Sequence, residues 1–117
     1  MNHCSNNMEI KMSTLEKYLY ERYSGWANEQ GLFLKLVEEI GEVAEVINMR
    51  NGSKLADGSD LSKALGEELC DMVHYIVAIA AINNIDLTKT MIEKDKVASK
   101  KYNHDNNLEL YITNEEK

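Results

Sequence analysis

The chain of 117 residues contains no proline and only six glycines. Few of its residues can break a helix or open a tight turn. It has two cysteines, in different contexts. Cys70 falls in an apolar periodic stretch expected to be a packed helix, and Cys4 falls in a polar leader. One such pair does not make a disulfide framework, and free thiols in a cytoplasmic chain are expected instead. No apolar run approaches the roughly 20 residues that cross a bilayer. The first residues lack the basic start and apolar centre of a signal peptide. Basic residues are scarce as well: 13 Lys and Arg face 20 Asp and Glu, a formal net charge of −7. That excludes a sequence-independent grip on a nucleic acid polymer, which depends on basic patches. A small phosphorylated ligand stays possible where a metal mediates. Glycine-rich phosphate loops, nucleophile elbows and internal repeats are all missing.

What the chain does have is helical periodicity. Hydrophobic residues make up 44%, enough for the core of one ordinary domain. Residues 1–12 read as a flexible leader, 13–103 as a helical domain and 104–117 as a polar tail. In that tail Leu108, Leu110, Tyr111 and Ile112 can dock locally or on a neighbour. Ser13-Thr14-Leu15-Glu16 forms a capping box for a first helix. That helix packs through Leu15, Leu19, Tyr18 and Tyr23 and ends near Ser24-Gly25. Asn28 caps a second helix over 29–50, with Phe33, Leu36, Val37, Ile40, Val43, Ala44 and Ile47 as its packed face. Gly41 inside it is expected to admit a close approach of another helix or a ligand. Residues 51–60 form a turn-rich loop, and Ser59 or Asp60 caps a third helix over 61–83. From Met72 to Ile82 only His74 is markedly polar. A helix apolar nearly all round needs several neighbours, so a second subunit is expected to supply some of the cover. Asp86 or Thr88 caps a fourth helix, which runs to about Tyr102. The fold class is all-α, four main helices completed as a homodimer or homotetramer.

Four acids carry the chemistry. Glu39 and Glu42 are three residues apart on the second helix, and Glu68 and Asp71 are three apart on the third. At that spacing each pair shares one helix face. If the two helices form an antiparallel hairpin, four carboxylates converge beside the core. Like charges there repel, and their desolvation is costly. A hard divalent cation relieves both costs, which predicts a Mg²⁺ site between the helices. Tyr75, four residues after Asp71, shares that stripe. His74 stands three residues after Asp71, a spacing also found in di-iron carboxylate bundles. Those bundles need the pair twice and this chain has it once, so His74 reads as a satisfied or surface histidine. Trp26 has two readings, a cap on the bundle end or a flat wall for a nucleobase. The fourth helix carries Lys89, Lys94, Lys96, Lys100 and Lys101. They read either as a solvated basic face or as contacts to substrate phosphates.

With these residues in view, the chain resembles the MazG-like, all-α nucleoside triphosphate pyrophosphohydrolases. The family's Glu-Glu-x-x-Glu, spacer, Glu-x-x-Asp pattern is matched by Glu38-Glu39-Ile40-Gly41-Glu42 and Glu68-Leu69-Cys70-Asp71. The flanking stretches KLVEEIGEVAEVI and GEELCDMVHYIVAIAAINNIDL look like the family's second and third helices. The resemblance covers roughly residues 26–102. It implies that Glu39, Glu42, Glu68 and Asp71 are metal ligands for Mg²⁺, with Mn²⁺ as a substitute. It implies that Glu38 and Glu45 are further acids near the metal, one of them acting on the attacking water. By the same resemblance Tyr75 lines the base pocket, and Trp26 is, on its own reading, a second candidate for the base. The stretch from Lys94 to Tyr102 then meets phosphates, Lys94 serving the leaving group and Lys96 and Lys100 the substrate. Ala98 stands near the family's asparagine position, and Met49 stands where some relatives have a base-sandwiching tryptophan. The implied reaction cleaves a nucleoside triphosphate between the α- and β-phosphates, giving monophosphate and pyrophosphate. The other reading is a non-catalytic helical interaction protein whose acids are surface charge.

Overall fold

The computed structural model describes residues 7–51 and 61–116. The described residues are all-helical: α1 (Met12–Tyr23), α2 (Glu29–Asn51), α3 (Leu61–Ile82), α4 (Leu87–Lys101) and α5 (Leu108–Glu115). Residues Thr14–Ile85 form one compact unit, and the chain from Asp86 onward belongs to another.

In the first unit α1 begins one residue before the expected cap, so Ser13 lies inside the helix. Leu19 and Tyr23 are its buried residues, and Tyr18 is exposed. The chain leaves α1 through Gly25 at φ 89, a left-handed conformation that a Cβ would strain. Asn28 caps α2 as expected, its Oδ1 accepting from the Gly31 amide at 2.7 Å. The expected caps Ser59 and Asp60, most of the 51–60 loop and Cys4 lie outside the described residues. The α2–α3 pair is an antiparallel hairpin. The start of α2 meets the end of α3, where Asn83 Nδ2 donates to Glu29 Oε1 at 3.0 Å. Further along, Glu39 and Glu42 meet Glu68, closer to the start of α3.

The packed face of α2 differs from the expected one. Leu32, Val43 and Val46 are buried, while Phe33, Val37, Ile40 and Ile47 are exposed. Ala44 is exposed too, and Leu36 is half-buried. The helix carries two apolar stripes, and α3 covers only one of them. Val77, Ala78, Ala80 and Ala81 are the buried residues of α3, whereas Leu69, Val73 and Ile76 stay exposed. Gly41 meets no approaching element: a Cβ there would have nothing within 4 Å among the described residues. Cys70, expected inside a packed helix, is a free exposed thiol.

In the second unit Asp86 caps α4, accepting from the Lys89 amide at 3.0 Å. The expected polar tail is helical over much of its length. The first turn of a helix needs acceptors for its free amides. Asp95 on α4 accepts from the Leu108 amide at 2.6 Å, and the capping Asn107 accepts from the Leu110 amide at 2.9 Å. Lys96 adds an ion pair to Glu109 at 3.2 Å. Among the described residues no helix is long and apolar enough to cross a membrane.

Candidate active site

The antiparallel hairpin brings one carboxylate oxygen from each of Glu39, Glu42 and Glu68 within 4.8 Å of one another. Two of these side chains have an oxygen shut away from solvent. Glu39 Oε1 and Glu68 Oε1 are buried without a hydrogen-bond partner. A buried acceptor left unpaired is costly, and a charged one more so. The three carboxyls respond as crowded acids do. Burial, before any other cause, pushes Glu39 up, and Glu42 and Asp71 add to it while the neighbouring Glu68 carboxyl opposes. Glu42 is raised chiefly by the close Glu68 carboxyl and by that group's charge. Burial is again the first cause for Glu68, with Glu39 and Asp71 adding to it and Glu42 opposing. Hard oxygen donors with orphaned lone pairs and mutual repulsion form a donor set suited to a divalent cation.

The other sequence-predicted residues fall around this trio. Asp71, the fourth expected ligand, is exposed and stands beside the trio; its charge helps to raise all three carboxyls. Glu38 lies about 100° round the helix from Glu39. It is exposed and paired with Lys35 at 3.7 Å, yet its charge reaches Glu42. Glu45 is exposed and outside the trio. Lys94, Lys96 and Lys100 sit on α4, in the second unit. The structure does not bring the three together. Lys96 and Lys100 border a groove with Ser99 and His104, while Lys94 borders another with Ala98, Lys101 and Tyr102.

Trp26 and Tyr75 do come together. With Tyr23, Asn28, Leu32 and Lys35 they line a cavity of about 390 Å³. Trp26 is 72% exposed, so it does not serve as a cap buried on the bundle end. Its indole is held in place by a bond from Nε1 to the Arg22 carbonyl at 2.7 Å. Burial first, and then the neighbouring Tyr23, Glu39 and Asp71, push the Tyr75 phenol up, with Lys35 opposing. Lys35 and Tyr23, both unflagged as site residues by the sequence, were legible only in part. Lys35 is one turn before Glu39, but its place on the cavity wall depends on how α2 is rotated. His74 is not a carboxylate-site ligand, because its Nε2 lies 2.7 Å from the Tyr23 hydroxyl. Its pKa is held low, first by burial and then by the charge of Arg22, with Asp71 pulling the other way.

The raised carboxyls predict a pH dependence. The folded chain binds these protons more tightly than the unfolded chain, so ν for the native state exceeds ν for the unfolded state. The stability contributed by these groups is full below the unfolded pKa of about 4.3 and is lost as pH rises through the raised folded values. In EDTA, Glu42→Gln should therefore gain melting temperature over the parent progressively as pH increases from acid toward neutral. A difference that is flat with pH would contradict the carboxylate crowding.

Comparison with known proteins converges on one family. A family model, the MazG nucleotide pyrophosphohydrolase domain, matches residues 27–104. The chain is 27% identical over 81 residues to the uncharacterized protein YpjD of Bacillus subtilis (strain 168), covering 69% of this chain and 71% of that one. It is 34% identical over 76 residues to dCTP pyrophosphatase 1 of Rattus norvegicus, covering 62% of this chain and 45% of that one. The chain thus spans less than half the length of that enzyme. Among solved structures it is similar to the crystal structure of iMazG from Vibrio DAT 722, with a TM-score of 0.61 at 32% identity. That likeness covers 81% of this chain and 100% of the other.

Proposed function

Because this chain belongs to the MazG nucleotide pyrophosphohydrolase family, we propose that it hydrolyses a nucleoside triphosphate between the α- and β-phosphates, with Mg²⁺ held by Glu39, Glu42 and Glu68. The observation that carries the reading is the pair of buried, unpartnered oxygens on Glu39 and Glu68 within reach of Glu42. Mn²⁺ satisfies the same oxygen donors. When bound, such an ion supplies charge neutralisation at phosphate oxygens and a more acidic water.

The chain's own residues supply the rest. Asp71 adds negative charge at the rim of the trio and is proposed as a further ligand to the metal. Of the two acids expected to act on water, Glu38 is the better placed, since its charge reaches Glu42. Its ion-pair partner Lys35 is itself on the cavity wall. Trp26 and Tyr75 present aromatic faces to a base, which stacks on them whatever its sequence context. Cavity and carboxylates share one hairpin seam. Lys35 is one turn from Glu39 and Tyr75 is two turns from Glu68, about 5 to 11 Å along the helices. That is the reach from a base to the phosphates of the same nucleotide. From the sequence pattern we also propose Lys96 and Lys100 as anion contacts, and Lys94 for the leaving group.

The active species is proposed to be a homodimer or homotetramer, supported by the uncovered apolar stripes of α2 and α3. The test of the reaction is pyrophosphate release from a panel of ribo- and deoxyribonucleoside triphosphates with Mg²⁺. The resemblance to a dCTP pyrophosphatase puts dCTP first in that panel. Monophosphate and pyrophosphate in equal amounts are expected; orthophosphate as the first product would overturn the bond assignment.

A further inference from the structure

His74 is the polar exception in the apolar half of α3, and the proposed chemistry leaves it unused. It is part-buried, and it does not line the cavity. It does touch both aromatic sides of that cavity. Its Nε2 is 2.7 Å from the hydroxyl of Tyr23, a residue 51 positions earlier in the chain. Its ring meets Tyr23 edge-on, with centroids 5.6 Å apart at 83°. On its other side it meets Tyr75 at 5.0 Å and 75°. Tyr23 in turn leans on Trp26, with centroids at 5.5 Å and 42°. Trp26, Tyr23, His74 and Tyr75 therefore form one continuous chain of contacts, and three of the four rings line the cavity.

We propose that His74 is a positioning residue that sets the spacing of the cavity's aromatic walls and thereby its fit to a nucleobase. The inference rests on the reading of that cavity as the base site. Edge-to-face contacts have preferred separations, so a ring wedged between two others fixes how far apart they stand. The hydrogen bond adds direction, tying the end of α1 to α3 at the level of the cavity. Burial and then Arg22 lower the imidazole's pKa against the pull of Asp71, which favours the neutral ring as the hydroxyl's partner. An apolar side chain of similar volume would take this partner from the Tyr23 hydroxyl and let the Tyr23–Trp26 wall shift. A slot of altered width discriminates differently between purines and pyrimidines.

Trp26 is the single tryptophan of the chain, so its emission reports on the cavity. Titrating the full-length protein with dCMP and dAMP, which cannot be hydrolysed to pyrophosphate, should quench it. His74→Leu and Tyr23→Phe should each weaken the better-bound monophosphate by about fivefold, the size of one net hydrogen bond. The double variant should be no weaker than the worse single variant, because both substitutions break the same bond. His74→Gln, which can bond the hydroxyl, should recover most of the loss. In turnover, KM should rise with kcat held within about twofold, and the dCTP to dATP preference should change. Tyr23→Phe retains every ring and carries the test should His74→Leu fail to fold. Unchanged dissociation constants in Tyr23→Phe, or additive losses in the double variant, would overturn the proposal. So would a parent whose emission ignores both monophosphates while it still releases pyrophosphate. Quenching without any pyrophosphate release would sink the hydrolase reading and leave the positioning role of His74 in place.

Discussion

Glu42→Gln is expected to lower pyrophosphate release by roughly 10²–10³-fold and to abolish the stabilisation by Mg²⁺. Glu42 belongs to the trio whose oxygens lie within 4.8 Å, and it sits between the charges of Glu68 and Glu38. Glutamine keeps the shape and removes one negative charge. Binding of a ligand to the native state alone raises stability by mass action, by about 2.7 kcal/mol at one hundred times the dissociation constant. The parent should therefore melt higher with Mg²⁺, and the variant should not. Without metal the order reverses, because the variant has lost a repulsion that the parent retains. Glu67→Gln is the control: Glu67 is exposed and pairs with Lys63 at 3.5 Å on the surface. An equal Mg²⁺ response in parent and Glu42→Gln would remove the carboxylate trio from the metal reading.

Val73→Glu should convert an oligomer into a monomer. Phe33, Val37, Ile40, Ala44 and Ile47 recur on α2 at alternating steps of four and three, and Leu69, Val73 and Ile76 do the same on α3. That spacing suits helix packing against another helix. The large residues of both stripes are exposed within the chain, Ile40 at 46% and Val73 at 48%. Apolar surface of this extent on adjacent helices marks an interaction face. Inside an interface an unpaired carboxylate costs several kcal/mol, enough to shift association by orders of magnitude. Sedimentation of parent and variant at matched concentration reads the result directly. A parent that sediments as a monomer at micromolar concentration would sink the idea, and α2 and α3 would then need another partner for these stripes.

Local rules accounted for most of the elements. Asn28, Gly25 and Asp86 mark helix ends by their own side chains or by the lack of one, so α1, α2 and α4 were legible with shifts of a residue or two. The acidic trio was legible because a helix repeats its faces, and acids three apart must share one. Other features depended on distant partners. The helix α5 needed Asp95, 13 residues away, to accept its first amide. The face of α2 was assigned only in part, Val43 buried and Leu36 half-buried as expected, because periodicity shows that a helix has apolar stripes, not which stripe a neighbour covers.

The sequence by itself therefore determined an all-helical chain, the acid pairs and the family they signal, since these depend on spacing along one helix. The tertiary structure decided the rest. It drew Glu39, Glu42 and Glu68 together and left Asp71 beside them, because the hairpin's register places three oxygens, not four, within 4.8 Å. It put Trp26 and Tyr75 on one cavity with His74 between Tyr23 and Tyr75, and it left the second stripe of α2 uncovered. Which faces meet is a property of two helices at once, and no single stretch of sequence contains it.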